Sequence, residues 1–351
     1  MAVVVQKYGG SSVATIEKMH QIADRVIHKA AEGNQMVVVV SAMGKTTNQL
    51  LDIACQAASK PAGRELDMLL STGEQESAAL LAMILEDRGH SAISLTGFQA
   101  GILTSGMHTK SRIIDIDSER IIRHLNQGKI VVVAGFQGYN INQDITTLGR
   151  GGSDTTAVAL AAKLACICEI YTDVDGIYSV DPRRYSNAKK LEEISYEEMK
   201  EMSHLGAKVM ETRSVEIGHR FGVPIYVGLS CGEASGTIIK ESDRTMEERS
   251  ITGLSVAENI LMVTLKGMPY SPANVAHLFT QLAKEEVLVD MISQTSPIDG
   301  LISLSFTTER NELNVVEAVL DKVKGTFPDI IIQYDIDLAK VSVVGMGMRT
   351  Q

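Results

Sequence analysis

From residue 1 to about residue 242, short β-branched runs alternate with stretches whose apolar residues recur every three or four positions. That alternation builds a mostly parallel sheet covered by helices. Val3 to Val5, Val37 to Val40, Ile130 to Val133 and Ile170 to Thr172 are continuously apolar or nearly so, as strands buried on both faces must be, and are predicted central strands. Ile16, Met19, Ala23, Val26, Ile27 and Ala30 mark one helix face between them, and Ala78, Leu81, Ala82 and Leu85 mark another. Both stripes are read as core.

After a polar stretch, 241–250, the pattern changes to one cycle of strand, helix, strand, strand, helix, strand. Its strands are placed near Leu261 to Leu265, Leu288 to Ile292, Leu301 to Phe306 and Ile330 to Tyr334. Ser271 and Pro272 suit an N-cap and first helical position, followed by a face of Val275, Leu278, Phe279, Leu282 and Ala283. Val316, Val319, Leu320 and Val323 line the second helix. The expected organisation is a three-layer α/β/α domain over 1–242, a linker with the first strand of the C-terminal region over 243–260, a ferredoxin-like βαββαβ module over 261–336, and the start of a further, incomplete module over 337–351.

Composition narrows the function classes. The chain has 351 residues, 44% apolar and 22% charged, which is ordinary globular usage. With a formal net charge of −10 and no basic cluster interleaved with aromatics, nucleic acid is not expected as a partner. No apolar run reaches the roughly 20 residues of a membrane helix. The N-terminus has no signal-peptide pattern, so a cytoplasmic protein is expected. Cys55, Cys166, Cys168 and Cys231 lack metal or redox spacing and are read as buried free thiols.

The chemistry concentrates in glycine-rich loops. Lys7-Tyr8-Gly9-Gly10-Ser11-Ser12 follows the first strand and opens the first helix: glycines let backbone approach a ligand, helix-start N–H groups attract an anion, and Lys7 adds a full charge. The run from Thr146 to Thr156, with Gly149-Arg150-Gly151-Gly152-Ser153-Asp154, enters a second helix. There Arg150 can grip a carboxylate with two prongs and Asp154 can orient a lysine or a metal-bound phosphate. Two anion cradles imply two anionic ligands.

Other segments carry less. Ser41 to Thr47 contains Gly-Lys-Thr, but a Walker loop needs glycine at position 39, where Val39 stands, and Gly345-Met346-Gly347 lacks the third glycine of a dinucleotide fingerprint. Glu74 is either a first-turn carboxylate favouring the helix dipole or the binder of an amine. Thr172, Asp173, Tyr178, Asp181 and Arg183 follow the fourth buried strand, where open α/β sheets place ligands. The eight histidines show no metal spacing or hydrolytic triad.

Taken in order, Lys7-Tyr-Gly-Gly-Ser-Ser, Ser41-Ala-Met-Gly, Thr72-Gly-Glu74, Phe136-Gln-Gly, Gly149-Arg-Gly-Gly-Ser-Asp154 and Tyr171-Thr-Asp173 resemble the aspartokinases of the amino-acid kinase family, over essentially the whole chain. The resemblance implies transfer of the γ-phosphate of ATP to the β-carboxylate of L-aspartate, with Mg²⁺. By it, Lys7 and Asp154 are catalytic. Tyr8, Gly9, Gly10, Ser41, Thr172, Asp173, Tyr178, Asp181, Arg183 and Lys208 join Lys7 around ATP. Thr47, Glu74, Arg150, Gly151, Gly152 and Ser153 hold aspartate.

It also identifies the βαββαβ module as an ACT domain. Such a domain binds an amino-acid effector such as lysine or threonine, here through Met268, Ser271, Pro272, Ala273, Asn274, Val289, Asp290 and Gln294, and pairs with another ACT domain in a homo-oligomer. Two alternatives stand beside this reading: a kinase of another amino acid, such as acetylglutamate or glutamate, and a catalytically silent amino-acid sensor.

Overall fold

The computed structural model describes residues 2–207, 209–232, 234–241 and 251–345. The chain divides into two compact units, one reaching Leu254 and resuming at Val343, the other Ser255–Ser342.

The first unit opens with β1 (Val3–Tyr8), α1 (Ile16–Ala31), β2 (Gln35–Val40), α2 (Thr46–Ala57), α3 (Gly63–Leu70), α4 (Thr72–Asp87) and β3 (Ala92–Leu95). It continues through β4 (Ile102–Ser105), β5 (Arg112–Ile116), α5 (Glu119–Asn126), β6 (Ile130–Ala134), β7 (Gln137–Tyr139), β8 (Ile145–Thr147), α6 (Gly152–Lys163) and β9 (Ile167–Thr172). Then come β10 (Ile177–Tyr178), β11 (Lys190–Leu191), β12 (Glu193–Ser195), α7 (Tyr196–His204), α8 (Thr212–Phe221), β13 (Ile225–Leu229) and β14 (Thr237–Lys240).

An eight-stranded sheet in the order β12-β14-β13-β9-β1-β2-β6-β3 forms the middle layer, and only the β13–β14 pairing is antiparallel. The four expected central strands are its neighbouring members β9, β1, β2 and β6. Successive side chains of a strand point to opposite faces. Val5, Val37, Val39, Val131 and Val133 therefore pack with residues of α5, α6, α7 and α8, while Val4, Tyr8, Val38, Val40 and Val132 pack with α1 and α4. Covering both faces makes a three-layer α/β/α sandwich. A separate four-stranded sheet, β5-β4-β7-β8, stands beside it.

The α1 stripe buries Met19, Ala23 and Val26, but Ile16 is 42% exposed, because the first turn lies at the edge of the layer. Of the cysteines only Cys168 is buried; Cys55 is exposed and Cys166 and Cys231 are half-buried, so the expectation of four buried thiols holds for one.

The second unit comprises β15 (Gly253–Pro269), α9 (Pro272–Lys284), β16 (Ile292–Gln294), β17 (Leu301–Glu309), α10 (Leu313–Thr326) and β18 (Ile331–Val344), with sheet order β16-β17-β15-β18. Leu261, Val263, Leu265, Leu278, Leu304, Phe306 and Leu320 form its core. Ser271 caps α9 by accepting the Ala273 N–H, with Pro272 at the first helical position.

Three expectations shift. The second strand is Ile292–Gln294 rather than Leu288 to Ile292, since Leu288 is 84% exposed and Asp290 donates one bond to Thr307 O while Thr307 N–H turns to Met291 O. Ala283 faces solvent on α9. The expected boundary at 336–337 falls inside β18, which continues to Val344; residues 242–250 of the expected linker and 346–351 of the expected second module lie outside the described residues.

Candidate active site

Because β1 lies between β2 and β9 and all three are parallel, Tyr8 is level with both Val40 and Tyr171. The chain therefore leaves three neighbouring strands at one edge of the sheet, where the loops after Tyr8, Val40 and Thr172 meet. Carboxyl ends of parallel strands are where open α/β sheets bind ligands. Helix α6 packs against β1, β2 and β9, which brings the mid-chain glycine loop to the same edge.

Strand periodicity aims Lys7 at α6, and its Nζ lies 2.5 Å from Asp154 Oδ1. Lys7 and Asp154 are 8% and 9% exposed. A charged pair this buried holds only with close geometry, and its ammonium stands beside the Gly9 backbone. Tyr8, one residue on, points the other way. Its ring is fully buried, stacks on Tyr171 at 5.2 Å between centroids, and its hydroxyl donates to Gln6. The Tyr8 side chain is thus closed to a ligand, which leaves its backbone for the expected nucleotide contact, and burial raises its hydroxyl pKa well above the usual value.

In the loop after β1, Gly10 has no room for a side chain. A Cβ on Gly10 would come within 2.9 Å of Ala42 O, and one on Gly9 would stand 3.4 Å from Lys7 Nζ. Gly9 N–H is donated to Tyr171 O at 3.2 Å and Gly44 N–H to Gly10 O at 3.0 Å, which fastens the three loops together. In the second cradle, Gly151 caps α6 at φ 63, a left-handed conformation suited to glycine, and Gly152 begins the helix. Ser153 is 7% exposed, while Arg150 is exposed and free to turn toward a ligand.

Glu74 begins α4 nearby and is 3% exposed. Oε1 accepts the Ala42 N–H at 3.1 Å, whereas Oε2 is buried without a partner among the described residues. Burial pushes its carboxyl up to about 7, against the lowering effect of the Ala42 N–H. A buried, half-satisfied carboxylate is a strong attractor for a cation. Gly73 is needed beside it, since a Cβ there would meet Ala42 Cβ at 2.9 Å. Thr47 lies half-buried in the first turn of α2, and half-buried Ser41 starts the loop after β2.

Other expected nucleotide residues lie just past β9. Thr172 donates to Asp173 at 3.0 Å, Tyr178 donates to Asp175 at 3.0 Å, and Arg183 grips Asp181 in an exposed ion pair. Lys208 lies outside the described residues. Sequence reasoning missed Glu211. A Cβ on Gly151 would touch its Cβ at 2.6 Å, and burial, then the charge of Asp154, raise its carboxyl while Arg213 and Arg150 oppose. Only its position ahead of α8 could have pointed to it.

Four of the eight expected effector residues, Ser271 to Asn274, lie at the start of α9, and the Met268 side chain is fully buried in the small unit's core. Ser271, Pro272, Ala273 and Asn274 form the helix start, and Asn274 donates to Pro269 O. Val289 is half-buried, Gln294 lies exposed on β16, and Asp290 is ion-paired with Lys340.

Among the described residues no helix is long and apolar enough to cross a membrane, and no three acidic, histidine or cysteine side chains form a metal cluster. The Amino acid kinase family model matches residues 2–228. An aspartokinase of Geobacillus stearothermophilus is 47% identical over 349 residues, 99% of this chain and 85% of the relative. The crystal structure of E. coli aspartokinase III in complex with aspartate and ADP (R-state) is similar at a TM-score of 0.80 and 26% identity, covering 98% of this chain and 87% of that one. The same enzyme in complex with lysine and aspartate (T-state) gives a TM-score of 0.77 at 27% identity, covering 98% of this chain and 87% of that one.

Proposed function

The chain belongs to the amino acid kinase family and, within it, to the aspartokinases, and from that premise we propose how its residues divide the work of phosphorylating aspartate. The observation that carries the assignment is the buried Lys7–Asp154 pair at the edge where the two glycine cradles and Glu74 meet.

The acceptor carboxylate is already ionised at neutral pH, so no general base is needed. One oxygen of the β-carboxylate forms a bond to the γ-phosphorus while the bond to the β-phosphate oxygen breaks, and ADP leaves with that electron pair. The obstacle is the approach of two anions, so positioning and positive charge supply the catalysis. Lys7 stabilises the charge spreading over the transferring phosphoryl group, and the close-packed backbone at Gly9 and Gly10 lets phosphates approach. Arg150, with Gly151, Gly152 and Ser153, receives the α-carboxylate of aspartate. Glu74, together with Thr47, receives the ammonium group.

Magnesium is held in kinase sites by one or two carboxylates together with substrate phosphates, so a site with one buried aspartate facing the phosphate cradle fits Mg–ATP. Asp154 is the residue to hold it, and the ion would neutralise phosphate charge. Ser41, Thr172, Asp173, Tyr178, Asp181 and Arg183 flank the nucleotide. The Ser255–Ser342 unit is a regulatory ACT domain whose α9 start and Asp290 receive an amino-acid effector; the lysine-bound T-state relative supports lysine as the first candidate. A cytoplasmic homo-oligomer completes the reading.

The test is hydroxylamine trapping of the acyl phosphate. Aspartate is expected to give aspartyl hydroxamate, acetylglutamate to give none, and Lys7→Ala to lower turnover by about a thousandfold or more. Turnover of Lys7→Ala within tenfold of the parent would remove Lys7 from the mechanism.

A further inference from the structure

Asp67 is a buried carboxylate that the proposed chemistry leaves unused. It sits on α3 with no exposed surface, and its hydrogen bonds come from the segments around the Arg150 loop. Oδ1 accepts from Thr109 N–H at 3.0 Å and from Thr147 Oγ1 at 2.5 Å. Oδ2 accepts from the same Thr109 N–H at 3.1 Å and from His108 Nδ1 at 2.7 Å, the ring proton being assigned there because a carboxylate only accepts. A buried charge supplied with donors on both oxygens holds its surroundings in one arrangement, since breaking any bond leaves a desolvated polar group.

What it fixes is the second glycine cradle. Thr147 ends β8, and Arg150 follows three residues later. Thr109 stands at φ 68, a conformation that a non-glycine residue keeps only when its neighbours impose it. Its carbonyl lies against Gly149: a Cβ there, at φ 78, would come within 3.1 Å of Thr109 O. From the other side, Arg213 donates to Leu148 O at 2.7 Å and to Ser111 O at 3.1 Å, while Ser111 N–H donates to Thr147 O at 3.0 Å. The base of the Arg150 loop is thus tied to α3 through Asp67 and to α8 through Arg213, while the Arg150 side chain stays exposed.

We propose that Asp67, acting with His108 through Thr109 and Thr147, is a positioning residue that presets the Arg150 loop for the α-carboxylate of the amino-acid substrate. This rests on the assignment of Arg150 to that carboxylate. Asp67 touches no substrate. Loosening it lowers the affinity for aspartate and leaves ATP affinity, set by the loops after β1 and β9, in place.

Steady-state kinetics of the full chain, with melting curves, test it on Asp67→Asn, His108→Ala, His108→Gln and Arg150→Gln. Asp67→Asn is expected to raise KM for aspartate about tenfold, the cost of one charge-assisted hydrogen bond, with KM for ATP within about twofold and kcat within about threefold. His108→Ala, at a ring 26% exposed, raises KM for aspartate by about three- to fivefold, and His108→Gln, which keeps a donor, restores it. An unchanged KM for aspartate in folded His108→Ala and Asp67→Asn, or parallel rises in both KM values, overturns the proposal while Arg150→Gln still raises KM for aspartate. An unchanged KM in Arg150→Gln instead overturns the Arg150 assignment and the proposal with it. Should Asp67→Asn fail to fold, the His108 pair of variants decides alone.

Discussion

The two units hide opposite things. In the first, the buried set includes Lys7, Asp67, Glu74, Asp154 and Glu169; in the second, its buried polar residues among those described are hydroxyls such as Thr307, Thr308 and Ser255, and no charge. Both bury aliphatic side chains in quantity, so a sheet covered by helices does not require interior ions. Burying a charge costs free energy unless it is paired, and a fold concentrates that cost where it must act on a ligand. The contrast separates a unit that buries charges from one that buries, among its described residues, only apolar side chains and hydroxyls.

The largest effect is expected in the small unit, where Phe306→Ala removes a ring that is 1% exposed and packs on Phe279. It should lower stability by about 3–5 kcal/mol by urea unfolding, with no dependence on pH between 5 and 8. A cost well below that range would mean that the core relaxes around the hole.

Next comes Glu74→Gln. Since the folded carboxyl titrates near 7 and the unfolded one near 4.5, protonation favours the folded state. That stabilisation is complete below pH 4.5 and is lost as pH rises through 7. Glu74→Gln should therefore stabilise the protein by up to about 3 kcal/mol at pH 8 and by little at pH 5, while raising KM for aspartate. In the parent, KM for aspartate should climb as pH falls below 7, because the ammonium loses its anion. A melting difference independent of pH would place the Glu74 carboxyl in water.

Gly10→Ala is smaller: the methyl at 2.9 Å from Ala42 O must push the loop aside, raising KM for ATP about tenfold, or roughly 1.4 kcal/mol, with KM for aspartate little changed. Smallest is Ile16→Ser. With Ile16 at 42% exposure despite its helical spacing, the loss should stay near 0.5 kcal/mol in the same unfolding assay.

The legible part of the fold is the part that periodicity dictates. Val37 to Val40 can only be a strand covered on both faces, and the pattern from Ile130 to Val133 says the same. The loops were legible through glycine, because a Cβ at Gly10 or Gly73 would meet the Ala42 backbone or side chain at 2.9 Å. Tyr8 was not: a motif shows that Lys7 and Tyr8 are adjacent, while strand alternation sends one into the cleft and the other into the core. The second strand of the small unit slipped because Leu288, an exposed leucine, reads like core in one dimension. Asp67 carries no local signal, since His108, Thr109 and Thr147 stand 41, 42 and 80 positions away in the chain.

The most direct test of the site is a crystal structure with a non-hydrolysable ATP analogue and L-aspartate. The γ-phosphate is expected within hydrogen-bond reach of Lys7 Nζ and beside Gly10, the aspartate α-carboxylate on Arg150 and its ammonium on Glu74 Oε2. A γ-phosphate bound away from Lys7, or aspartate seated with neither Arg150 nor Glu74 in contact, would contradict this arrangement.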